Sequence, residues 1–127
     1  LLSRRQRQMC IRDRTAQEII IEHVQSELKA FKADTIRHSP DIVYERAYTI
    51  VCMERVEQII ENIIEPFSRT VSLGRLTTIA HIHNLLAQLV NAWKDYDVDE
   101  DLGEGLATFI WSTLENYRFA QETYHFV

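Results

Sequence analysis

The chain has 127 residues, with 14 Lys and Arg against 19 Asp and Glu for a formal net charge of −5, and 46% of its residues are hydrophobic. That composition describes one soluble globular domain, and the longest uninterrupted apolar runs, such as Ile19-Ile20-Ile21, fall far short of the roughly 18 residues a membrane-crossing helix needs. Three Gly and two Pro are too few for the turns of an all-β domain, whereas stretches rich in Ala, Leu, Ile, Glu and Gln favour helix.

Residues 1–14 stand apart, holding five Arg and one Asp for a balance of +4, so that residues 15–127 carry nine Lys and Arg against eighteen Asp and Glu, −9. The run Arg4 to Arg14 resembles the translation of sequencing-adapter DNA at the ends of assembled reading frames, and the chain begins with Leu rather than Met. Residues 1–14 are therefore expected to be a disordered, artefactual segment, leaving 15–127 as the helical domain. A genuine basic tail and a targeting peptide are the alternatives. With that segment set aside, Cys52 is the one remaining cysteine, which rules out an internal disulfide and points to a reducing, cytoplasmic setting. Lying among Ile50, Val51 and Met53, it reads as a small core hydrophobe.

Four helices follow in chain order. The first, roughly 16–36, carries Ile20, Val24, Leu28 and Phe31 on one face. The sequence Arg37 to Asp41 punctuates it, with Ser39 a natural N-cap and Pro40 suited to the first helical position, where its missing N–H is not needed. The second, roughly 40–64, has the stripe Val43, Ala47, Ile50, Met53, Val56, Ile60 and Ile63, and is expected to stop near Ile64 because Pro66 clashes with the preceding turn. The third, roughly 73–96 and capped by Ser72 or Thr70, places Ile79, Ile82, Leu86, Leu89, Trp93 and Tyr96 on a regular seam. The fourth, roughly 102–122, presents Leu106, Phe109, Ile110, Leu114 and Tyr117. Such stripes bury only against one another, so the fold is expected to be all-α, a single small bundle of four principal helices.

Chemistry-bearing patterns are weak. Alternating carboxylates from Asp95 to Asp101 resemble a calcium loop, yet the EF-hand pattern needs Gly at its sixth place and Glu at its twelfth; counted from Asp95 these are Glu100 and Leu106, and from Asp97 they are Leu102 and Thr108. The same acids suit the positive N-terminus of the fourth helix. His81 and His83 are two residues apart, which on one helix turns them to different faces. A single Glu-x-x-His, Glu122 to His125, lacks the second pair a di-iron bundle requires. Glu54, Glu57, Glu61 and Glu65 read as a solvated face. Gly-rich phosphate loops, zinc spacings and nucleophile elbows are absent, so neither metal nor cofactor is expected. A body at −9 also repels phosphates, which argues against direct nucleic-acid binding.

Two stretches, Ser39-Pro40-Asp41-Ile42-Val43-Tyr44-Glu45-Arg46-Ala47-Tyr48 and Leu89-Val90-Asn91-Ala92-Trp93-Lys94-Asp95-Tyr96 with the acids after it, carry a resemblance over about Glu22 to Glu115. The chain resembles an uncharacterised family of small helical proteins carried largely by gut bacteria and their phages or conjugative elements. It departs from that family in its long stretch from Ile63 to Thr78. The resemblance implies a bacterial or phage cytoplasmic accessory protein and transfers no catalytic residue.

The functional expectation is a non-enzymatic protein that binds another protein or itself where the third and fourth helices meet. Aromatics beside carboxylates supply burial and steering there, which makes Trp93, Tyr96, Asp97, Asp99 and Trp111 the candidate contacts. Trp111 leads because it lies off the Phe109/Ile110/Leu114 stripe; ordinary core packing is the competing reading of both tryptophans. An acidic regulator that mimics nucleic acid and an enzyme of unrecognised type are the alternatives from other classes.

Overall fold

The computed structural model describes residues 4–95 and 104–119, with side chains placed at 16–93 and 105–119. These residues form helices and no strand: α1 (Arg4–Ile36), α2 (Pro40–Thr70), α3 (Leu73–Ala80), α4 (Leu85–Asp95) and α5 (Glu104–Asn116). The all-α class agrees with the sequence, but the described helices number five, because the expected third helix is two.

The backbone of residues 4–14 is helical and continuous with the rest of α1, where the sequence led to an expectation of disorder. Arg, Gln and Met are good helix formers, and a helix already nucleated by its packed part adds one hydrogen bond for each residue it gains. Where side chains are described, burial falls at Ala16, Ile20, Val24 and Leu28, one residue per turn on the inner face. The helix closes with Arg37 and His38 donating to the carbonyls of Asp34 and Thr35, both at 3.1 Å.

Ser39 is the N-cap of α2 and Pro40 its first residue, although the Ser39 hydroxyl makes no capping hydrogen bond. The short turn sends α2 back antiparallel to α1. Side chains met going up one helix descend the other: Gln17 with Ser68 at 2.8 Å, Gln25 with Glu61 at 2.6 Å, Lys32 with Glu54 at 2.5 Å. Contrary to expectation, α2 passes through Pro66 and ends at Thr70. Pro66 and Asn62, whose carbonyl loses its helical donor, are both exposed, so water can satisfy that group. Ile64 and Phe67 meanwhile continue the buried stripe of Val56 and Ile60, and their burial offsets the roughly 3 kcal/mol an internal proline costs.

The seam Ile79, Ile82, Leu86 and Leu89 is buried as its spacing predicts, but the helix breaks inside it at His81 to Asn84. Asn84 has φ 54°, the left-handed region that asparagine tolerates better than most residues. At the start of α3, Ser72 caps as expected, its hydroxyl accepting from the Arg75 N–H at 3.1 Å. α5 ends at Asn116, six residues short of the expectation, and residues 117–119 leave the helix so that Phe119 turns into the core.

Helix α1 packs on α2, α3 and α4, while α5 packs on α2 and α4. The described parts of α3, α4 and α5, of 8, 11 and 13 residues, are each much shorter than the 31-residue rod of α2, about 46 Å long. They close over residues 16–28 of α1 and 52–67 of α2, where the core lies. The end of the hairpin nearest the connecting turn stays outside. Of the predicted α2 stripe, Val43 and Ala47 are consequently exposed and Ile50 only half-buried; Met53, Val56 and Ile60 are buried.

Candidate functional site

Glu27 of α1 holds the start of α4, at the break that separates it from α3. Its carboxylate accepts the backbone N–H groups of Leu86 at 3.0 Å and Ala87 at 2.7 Å, a negative group placed at the positive N-terminus of α4. Burial pushes the Glu27 carboxyl above the ordinary range, against the opposing pull of the Ala87 and Leu86 N–H groups. A raised folded pKa means that the folded state binds the proton more tightly. The contribution of this group to stability is therefore present below the ordinary carboxylate range and lost as pH rises through the raised value. Glu27→Gln, which cannot titrate, is expected to gain stability relative to the wild type as pH climbs from about 4 to about 7, whereas Glu27→Ala loses about 1–3 kcal/mol by stranding two N–H groups. Urea unfolding across that pH range checks both; parallel curves for wild type and Glu27→Gln would refute the assignment.

Of the five candidate contacts, Trp93 and Trp111 fall among the described residues, whereas Tyr96, Asp97 and Asp99 lie outside them. Both tryptophans are half-buried and pack on the core. Trp111 stands edge-on to Phe67, ring centroids 5.3 Å apart at 80°, and its indole N–H donates to Glu115 Oε2 at 3.1 Å. Beside it runs an open groove of about 440 Å³ lined by Ile63, Ala107, Thr108, Ser112 and Glu115. A second, of about 670 Å³, lies across α5 between Phe109 and Tyr117. The core packing of both tryptophans and an accessible edge of Trp111 therefore coexist.

A second surface went unrecognised in the sequence. On α2, Asp41, Tyr44, Tyr48, Val51 and Arg55 are all exposed, with Tyr44 at 85%, Tyr48 at 68% and Val51 at 61%. They follow one another at steps of 3, 4, 3 and 4, a seam spacing whose signal was overshadowed by the Val43/Ala47/Ile50 stripe around the helix. Its scaffold is firm. Arg46 donates to Asp34 at 2.8 Å and lies 5.3 Å over the Phe31 ring, joining the last turns of α1 to the first turns of α2. That hydrogen bond, chiefly, holds the Asp34 carboxyl below its ordinary range, with His38 assisting. One turn on, the Cys52 group beside Tyr48 keeps the phenol above its ordinary range.

Elsewhere the side chains carry structure. Cys52 is buried, as a core hydrophobe should be. His81 and His83 are exposed, and the His81 ring meets the Thr77 carbonyl at 2.8 Å. The acidic row on α2 is mostly exposed; within it, burial chiefly, then hydrogen bonding to Glu61 and its like charge, raise the Glu57 carboxyl. Among the described residues no group of three or more His, Cys, Asp or Glu is placed to hold a metal, and no helix is long and apolar enough to cross a membrane. The calcium-like stretch and the Glu122/His125 pair lie at or beyond the edges of the described residues. No family model, curated protein or solved structure matches the chain.

Proposed function

We propose that the chain is a non-enzymatic protein-interaction protein and that the exposed end of the α1–α2 hairpin is its contact surface. The observation that carries the reading is the row Tyr44, Tyr48 and Val51, apolar side chains left in water on a rigid helix. Aromatic side chains are the commonest anchors of protein interfaces, and the firm hairpin behind them keeps the ordering cost of binding low. A second reading places the contact at the α4–α5 end, through Trp93, Tyr96, Asp97, Asp99 and Trp111; the open groove beside the Trp111 ring favours it.

Affinity capture from a bacterial lysate tests both. The wild type is compared with Tyr44→Ser/Tyr48→Ser, with Trp111→Ala, and with Asp97→Asn/Asp99→Asn, each first shown by circular dichroism to be folded. The proposal expects a partner held by the wild type and by the two α4–α5 variants but lost by the tyrosine variant. Loss with the Trp111 and Asp variants alone transfers the contact to the second reading. Equal retention by all four overturns both.

A further inference from the structure

The seam on α2 has charges of opposite sign at its two ends. Asp41 stands one step before Tyr44 and Arg55 one step after Val51, with Tyr48 midway in sequence between the two charges. The five residues span two heptads, about 21 Å of helix. Beyond Arg55 the same spacing meets Gln58, Asn62 and Glu65, so the apolar part is short and bounded.

We propose that this seam is the contact between two copies of the chain, packed antiparallel about a two-fold axis beside Tyr48. The inference rests on the reading that the hairpin end is the contact surface, and it names the occupant. An antiparallel pairing centred on Tyr48 sets Tyr48 against its own copy, Tyr44 against Val51, and Asp41 against Arg55 at both ends, the self-complementarity that a two-fold interface requires. Parallel pairing instead sets Asp41 beside Asp41 and Arg55 beside Arg55, like charges at both ends.

Net charge favours the same surface. Residues 29–55 hold five Lys and Arg against four Asp and Glu, nearly neutral, while the whole chain stands at −5. Two acidic bodies repel over a Debye length of about 8 Å at physiological salt; meeting through the neutral ends of their long hairpins keeps the acidic parts apart. The area is sufficient for a reversible dimer. Tyr44, Tyr48 and Val51 are exposed and leave on the order of 400 Å² per chain, so two copies together with the charged ends bury roughly 1,000 Å², the lower limit for a specific interface.

Sedimentation equilibrium on the full chain, from about 1 μM to about 500 μM, decides the matter. The expected result is a mass that rises with concentration from 15.0 kDa toward twice that value. Tyr44→Ser/Tyr48→Ser, with its helical circular dichroism intact, is expected to stay at the single-chain mass throughout. Asp41→Arg and Arg55→Glu should each weaken association about tenfold, and the double variant should recover most of the loss, since exchanging the signs restores opposite charges only in the antiparallel arrangement. Constant single-chain mass for the wild type overturns the inference. So does a dimer that the tyrosine variant retains, or a double variant no better than the singles. Lysate capture that depends on Tyr44 and Tyr48 would, beside a monomeric wild type, leave the interaction surface standing with a different occupant.

Discussion

Phe67→Ala is expected to lower the free energy of unfolding by about 3–5 kcal/mol, the largest effect of any single side chain considered. Phe67 is fully buried, and the Trp111 ring stands edge-on against it, so truncation removes apolar burial and an aromatic pair at one point between α2 and α5. A domain of this size has about 5–15 kcal/mol in total, and the loss is a large share of it. The position of Phe67 directly after Pro66 adds a second consequence: with its ring gone, nothing of comparable size holds the last turn of α2 past the proline, and residues 67–70 should fray. Pro66→Ala is expected to act in the opposite direction by about 1–3 kcal/mol, because it restores a donor to the Asn62 carbonyl in a helix that already exists. Urea unfolding followed by circular dichroism and tryptophan fluorescence measures both. A Phe67→Ala loss under about 1 kcal/mol would mean that the site collapses around the truncation and that α5 is held elsewhere.

The proline also illustrates how far the sequence could be read. Ser39, Pro40 and Ser72 marked helix starts because a cap acts within three or four residues of itself, and the α1, α4 and α5 stripes were legible because burial repeats at the helical period. Two of the misplaced boundaries depend on contacts across the fold. Pro66 is tolerated because Phe67 is buried against α5, some forty residues later in the chain. The break at His81 to Asn84 is tolerated because Glu27, nearly sixty residues earlier, receives the N–H groups of Leu86 and Ala87 at the start of α4. In a local reading Glu27 is one carboxylate among many on the outer side of α1.

The candidate site divides similarly. Trp111 was identified by lying off its stripe, and its accessible edge agrees with that reasoning, but its packing on Phe67 depends on the course of α2 beyond Pro66. Tyr44 and Tyr48 carry no clear signal in the sequence because tyrosine suits core and surface alike, and because the stripe Val43/Ala47/Ile50 offers a plausible inner face. Among the described residues both stripes are left uncovered because α3, α4 and α5 pack farther along the hairpin, over residues 16–28 of α1 and 52–67 of α2. Periodicity within α2 carries no information about where its neighbours pack.

Arg75→Ala is expected to lower stability by about 2–3 kcal/mol, with the loss concentrated in α5. From α3, the guanidinium donates Nε–H and Nη2–H to the Leu114 carbonyl at 3.0 and 2.8 Å and Nη2–H to the Tyr117 carbonyl at 2.8 Å. It also lies 5.8 Å over the Phe119 ring, which is itself edge-on to Tyr117 at 5.0 Å. One planar cation thus satisfies the carbonyls left open where α5 ends, complements the negative end of that helix, and supports the segment that turns Phe119 into the core. Arg75→Lys should restore less than half of the loss, because an ammonium is a point donor that cannot reach two carbonyls while stacking on a ring. Native-state hydrogen exchange separates this effect from general destabilisation: protection in α5 is expected to fall by more than that in the α1–α2 hairpin. Equal loss across all helices would make Arg75 a contributor to the common core, and full recovery with lysine would show that charge alone, without the fork geometry, holds the end of α5 in place.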